Sequence, residues 1–239
     1  MDRRCIGLGV ICVLAACGGG DGTGGGLFPA TDRPGEGSGT LNVEARIDAS
    51  PARDELALDT GELSTRFEID VRDSSGADVT GATVVVDSPR GAVTLSEGGC
   101  ERRYCGSQAG YAGVYEISVS RGADFLDGVV IHGPSFHRVT APENGATVDA
   151  SIPLTVSWSP AGEADRVEVE TRELDRELDD DPGVFEVPAG TLRVRAGEPE
   201  DERVRVRRER RLSLSGGIGS STAVVEVRNG IELFAVEGL

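Results

Sequence analysis

From residue 40 onward, apolar and polar side chains alternate with a period of two. Leu41, Val43, Ala45 and Ile47 interleave with Asn42, Glu44, Arg46 and Asp48, and Phe67, Ile69 and Val71 with Glu68, Asp70 and Arg72. Successive side chains of a strand point to opposite faces, so these runs predict half-buried strands. Further strands are predicted over 82–87, 92–96, 111–120 and 125–131, separated by turn clusters such as Asp73-Ser74-Ser75-Gly76 and Ser88-Pro89-Arg90-Gly91. Six or seven short strands at this spacing predict a β-sandwich of about 90 residues.

The pattern resumes after residue 135. Leu154-Thr155-Val156-Ser157-Trp158-Ser159 predicts a strand that turns the chain's one Trp into a core, with ligand stacking as the alternative role. Arg166-Val167-Glu168-Val169-Glu170 and Arg203-Val204-Arg205-Val206-Arg207 alternate with charges outward. Residues 163–186 hold eleven acids against three Arg, and residues 193–211 eight Arg against five acids. Pairing the two strands would set Glu168 and Glu170 opposite Arg residues, and the expectation fails if they lie on different sheets. Near the C-terminus, 223–228 and 231–236 flank Asn229-Gly230, a dipeptide suited to a type I′ turn, which predicts a hairpin there.

Two stretches carry a family resemblance. Val71-Arg72-Asp73-Ser74-Ser75-Gly76-Ala77-Asp78-Val79-Thr80-Gly81-Ala82-Thr83-Val84 and Gly110-Tyr111-Ala112-Gly113-Val114-Tyr115 resemble bacterial Ig-like or carboxypeptidase-regulatory-like domains. Val139-Thr140-Ala141-Pro142-Glu143-Asn144-Gly145-Ala146-Thr147-Val148, leading to Trp158, resembles the opening of a fibronectin type III-like domain, with an Asn-Gly turn. The resemblance implies an all-β fold of two Ig-like β-sandwiches in tandem, residues 40–134 and 135–239, and implies no catalytic residues.

The N-terminus changes the picture. Arg3 and Arg4 precede a largely apolar run, 6–16, that ends Leu14-Ala15-Ala16-Cys17. As a helix it would span roughly 16 Å, too short for a hydrocarbon core of about 30 Å, so it reads as a secretory signal of residues 1–16. The tetrad resembles the lipobox of bacterial lipoproteins; an ordinary signal peptide with an incidental Cys is the alternative. The resemblance implies cleavage between Ala16 and Cys17, acylation of Cys17 and membrane lipid as a partner. By the same family analogy Gly18 after the Cys implies the outer membrane if the cell is Gram-negative. Residues 17–39 then form a tether: ten Gly fall in the 22 positions from 18 to 39, too little apolar surface to offset the ordering entropy.

Composition narrows function. The formal charge is -17, all 24 basic residues are Arg, and removing Asp2, Arg3 and Arg4 with the signal makes it -18. That field opposes nucleic acid, and a P-loop lacks its Lys. Of the five Cys, the signal takes Cys5 and Cys12 and lipid takes Cys17. Cys100 and Cys105 remain, an even count in an oxidising compartment, and predict a disulfide; zinc would need two further ligands, and a redox dithiol a two-residue spacing. His132 and His137 flank Gly133-Pro134-Ser135-Phe136 at no ligand spacing and read as an interdomain linker. No Gly-x-Ser-x-Gly elbow accompanies Ser135. Asp179, Asp180 and Asp181 end an acidic run that could offer oxygens to Ca²⁺, but Leu178 and Val184 break the EF-hand pattern. A solvated loop, or a short helix with Leu174 and Leu178 on one face, is the plainer reading.

The expectation is a non-enzymatic, lipid-anchored envelope protein without cofactor, a structural or binding module toward an envelope or extracellular protein or glycan. A calcium-dependent adhesion module and an accessory or degenerate hydrolase subunit are its alternatives.

Overall fold

The computed structural model describes residues 28–53, 55–100, 103–194 and 198–238. The signal segment, Ala16, Cys17 and the tether up to residue 27 lie outside the described residues. The fold is all-β. In the first half, β1 (Arg33–Gly37), β2 (Leu41–Pro51), β3 (Leu63–Asp73), β4 (Thr83–Asp87), β5 (Val93–Thr94), β6 (Ser96–Cys100), β7 (Arg103–Ala109), β8 (Val114–Arg121) and β9 (Asp124–His132) follow in order. The second half contributes β10 (Arg138–Ala141), β11 (Thr147–Asp149), β12 (Leu154–Ser159), β13 (Arg166–Glu170), β14 (Asp175–Leu178), β15 (Val184–Val187), β16 (Glu200–Ser213) and β17 (Thr222–Val236).

One long sheet runs the length of the molecule in the order β14-β13-β16-β17-β2-β3-β7-β6, with β11 added beside the far end of β17. Two smaller sheets cover its inner face. β1-β9-β8-β4-β5 packs on the β2–β3 half, and β10-β12-β15 on the β13–β16 half. Each half is a sandwich with its own core. Val43, Ile47, Phe67 and Ile69 meet Val84, Tyr115, Ile117 and Ile131 in the first, and Val156, Trp158 and Val187 meet Val167, Val169 and Val206 in the second.

The two halves share their last two strands. β16 and β17 form a hairpin in unbroken register from Glu200↔Ala235 to Ser213↔Thr222. Odd-numbered positions of β17 all face inward, yet Ala223, Val225 and Val227 join the first core while Ile231, Leu233 and Ala235 join the second. The other edge of β17 is occupied by β2, parallel over Thr222–Val227, then by the Glu55 carbonyl at Gly230, then by β11. The strand is therefore paired along both edges by residues from both halves.

Three sequence expectations are corrected here. Asn229-Gly230 is not a turn but the midpoint of β17, opposite Val206 and Arg205. Asn229 is fully buried where the two cores meet, and its amide is consumed: Oδ1 accepts from Ala57 N (2.8 Å), while Nδ2 donates to the carbonyls of Ala57 and His137 (3.0 Å each). Gly230 is required by proximity, since a Cβ there would lie 2.6 Å from the Val204 carbonyl oxygen. The tether does not extend to residue 39: Arg33–Gly37 pair antiparallel with β9 as β1, because burying β9 leaves a ladder edge that this segment satisfies. Leu174 and Leu178 do not mark a helix; Asp175–Leu178 are the edge strand β14, paired with β13.

Other expectations are met. Trp158 is core, and Asn144-Gly145 turns with Gly145 at φ +79°. Cys100 and Cys105 lie at disulfide distance across β6 and β7, with Cα atoms 6.1 Å apart. The charged ladder also forms: Glu168 faces Arg207 and Glu170 faces Arg205 in the β13–β16 register. Arg207 lies 2.6 Å from Glu168 and 3.2 Å from Glu170, whereas Arg205 is 3.7 Å from Glu170. The stronger partner of Arg205 is Glu55, two bonds of 2.6 Å from the segment between β2 and β3. That contact is non-local and carries no sequence period.

Candidate functional site at the seam of the two sandwiches

The residues joining the sandwiches are polar and buried. β16 presents its even-numbered positions inward: Val204, Val206, then Arg208, which has no exposed surface. Arg208 Nε donates to Asp181 Oδ2 at 2.9 Å, Nη2 makes a second bond to the same oxygen, and Nη1 donates to the Ser135 carbonyl at 2.9 Å. Asp181 Oδ1 accepts from Trp158 Nε1 at 2.7 Å. Burial alone would raise the Asp181 pKa, but the bonds from Trp158 and Arg208 and the guanidinium charge outweigh it and hold it below the ordinary carboxylate range. The pair thus has the hydrogen bonds a buried ion pair needs.

His137 lies against this pair with no exposed surface. Its Nε2 is 3.0 Å from the Val206 carbonyl, which can only accept, so Nε2 carries the proton; Nδ1 has no partner. Burial, reinforced by the Arg208 charge, pushes its pKa down to about 3. His137 is a neutral core residue.

Over this buried layer lies an open groove of about 1170 Å³. It is lined by residues 30–32, Arg90 and Tyr111, by the strap His132–Phe136, and by residues 162–165 with Arg210. The strap is held down by the Tyr111 hydroxyl, which donates to the Pro134 carbonyl at 2.6 Å. A side chain at residue 133 would collide with that hydroxyl and with Val225, which accounts for Gly133. His132 is half-buried in the groove lining: Asp32 Oδ1 lies 2.7 Å from its backbone N and 2.8 Å from ring Nδ1, and Asp32 Oδ2 accepts from Arg210 at 3.0 Å. Ser135 turns to Glu163, its backbone N–H donating to Oε2 at 3.0 Å.

The acidic run is divided. Asp179 and Asp180 are exposed, while Asp181 is buried and committed to Arg208 and Trp158, so the three do not converge as calcium ligands. Among the described residues, one trio of carboxylates could converge on a cation, Glu168, Glu170 and Asp175 on the outer face of the long sheet. Arg207 and Arg205 already pair with two of them. Sequence reading did not single out Asp32, Glu163, Arg208 or Arg210. Arg208 had a readable signal, because Arg207-Arg208 breaks the alternation and forces one guanidinium inward.

Two outer-face acids give the fold an unusual pH response. Glu226, between Arg46 and Arg207 at 2.8 Å each, is pushed up to about 7, first by burial and then by Asp48. Glu168 is also pushed up to about 7, by burial and then by Asp175. An acid whose folded pKa exceeds the unfolded 4.5 takes up its proton earlier when folded, so these two add stability as pH falls from 7 to 4.5. His137 has the opposite sign: the unfolded chain alone binds a proton between 6.5 and about 3, and stability drains away over that window. Lowered carboxylates such as Asp181 and Asp32 lose their contribution further down in the acid. Two protons against one leave a net gain down to about pH 5. Urea midpoints should peak there, with roughly 2 kcal/mol more stability than at pH 7.5, and Glu226→Gln should flatten the rise. A midpoint that climbs steadily from pH 5 to 8 would refute this assignment.

Neither a protein-family model nor a curated protein matches the chain, so its function is read from this geometry.

Proposed function

We propose that the chain is a lipid-anchored cell-envelope lipoprotein, held to membrane lipid through acylated Cys17, that acts as a non-catalytic binding module. In a Gram-negative cell it would sit at the outer membrane. One observation carries the binding reading: a groove with converging polar groups lies at a seam that two shared strands and a buried ion pair hold rigid. The chain also enters the fold at the groove's rim, residues 30–32. From Cys17 to Phe28 it can span at most roughly 40 Å, which would keep the groove near the membrane surface. Several acyl chains on one Cys would anchor an acidic protein without basic residues. No helix among the described residues is long and apolar enough to cross a membrane.

The test of anchoring is chemical. Cells fed an alkyne fatty acid should label the wild-type protein, which should partition into the detergent phase; Cys17→Ser should abolish both. Label retained on Cys17→Ser would sink the anchor.

A further inference from the structure

The groove side chains define a ligand chemistry. Asp32 is subject to burial that would raise its pKa, but the His132 bonds and the Arg210 charge hold it below the ordinary range, so it is ionised at neutral pH. In the tautomer that donates Nδ1–H to Asp32, His132 Nε2 is an acceptor. The carboxylates of Glu163 and Asp165 also line the groove, and the guanidiniums of Arg90 and Arg210 supply donors. Arg90 is fixed by bonds to the Tyr111 carbonyl (3.1 Å) and Thr60 Oγ1 (3.3 Å), and Arg210 by Asp32.

Three carboxylates against two guanidiniums leave no net positive charge, and the chain carries -17, so a polyanion is repelled. Donors and acceptors are interleaved, as a ligand requires whose every hydroxyl both donates and accepts. Phe136, Pro89 and Pro134 add apolar surface for C–H faces. The polar groups named here are side chains, not the free N–H and C=O row of a strand edge that would take a peptide as an added strand. We infer that the groove is a binding site for a neutral oligosaccharide, with His132 Nε2 accepting a sugar hydroxyl and Arg90 and Arg210 donating to others. This rests on the reading of the chain as a binding module.

The test titrates the intact chain in detergent with cellohexaose, chitohexaose and maltohexaose. At least one should saturate it and shift the His132 ring resonances while those of buried His137 stay fixed; with two His in the chain, His132→Ala assigns them. His132→Ala and Arg210→Ala should each weaken binding about tenfold, the loss expected for one hydrogen bond to such a group. Absence of any His132 shift up to about 10 mM sugar, or unchanged affinity in His132→Ala, overturns the proposal. Saturation by an uncharged hexapeptide instead overturns the sugar class and leaves the binding-module reading standing. No binding by either class, with no partner crosslinked in the envelope, would overturn both.

Discussion

Residues 28–134 expressed without the C-terminal hairpin are expected not to fold. The first core is closed by Ala223, Val225 and Val227, and β2 pairs with β17 over six residues, Glu44–Ala49. Without the hairpin, the β2 edge is unpaired and the inner faces of Val43 and Ile47 lose a neighbour. Each large apolar side chain so exposed forfeits about 1.5–3 kcal/mol, against a total stability of order 10 kcal/mol. Circular dichroism and hydrogen exchange on the fragment should show no protected β-structure. A fragment that folds cooperatively would mean that the first sandwich is self-sufficient.

The intact chain offers a companion measurement. Val227→Ala truncates the first core and should cost about 2 kcal/mol. Trp158, the one Trp, sits in the second core, yet its fluorescence should report the same lowered midpoint, because β16–β17 transmit the loss. An unchanged Trp158 transition would separate the halves.

Asp181→Ala should be the most damaging single substitution. It leaves Arg208 charged and without exposed surface, and removes the acceptor from Trp158 Nε1. Breaking one partner of a buried pair costs about 3–5 kcal/mol, which in a domain this size lowers the melting temperature by about 10 °C. The double change Asp181→Leu with Arg208→Met removes both charges, and most of the loss should return. A cost under about 1 kcal/mol for Asp181→Ala would show that water or rearrangement reaches Arg208, contrary to its enclosure.

The alternation of Leu41 to Ile47, of Phe67 to Val71 and of Val167 and Val169 located strands and their inward faces, because a period of two is local and each residue reports its own side. That the strand of Glu168 and Glu170 pairs with the Arg-rich strand was foreseeable from their complementary charges, while the register, Glu168 to Arg207 and Glu170 to Arg205, came from the fold. Arg33–Gly37 was not: a Gly- and Pro-containing segment has no pattern, and only the unpaired edge of β9 recruits it. Asn229-Gly230 misled because a dipeptide suited to a positive-φ turn is equally suited to a crowded strand, and the choice lies with Ala57 and His137, far away in sequence. The groove was the least legible part, with Asp32 in presumed tether, His132 in presumed linker and Arg210 in an Arg-rich run.

By itself, the sequence determined the all-β class, most strands and their faces, the core Trp158 and the Cys100–Cys105 bridge, all of which follow from periods and spacings within a few residues. Only the tertiary structure decided that the last hairpin belongs to both sandwiches, that Arg208 and Asp181 neutralise each other at the seam, and that Asp32 meets His132 and Arg210. Those facts depend on pairing between segments some 25 to 180 residues apart, where the deciding energies are burial and hydrogen-bond satisfaction, to which no local period corresponds.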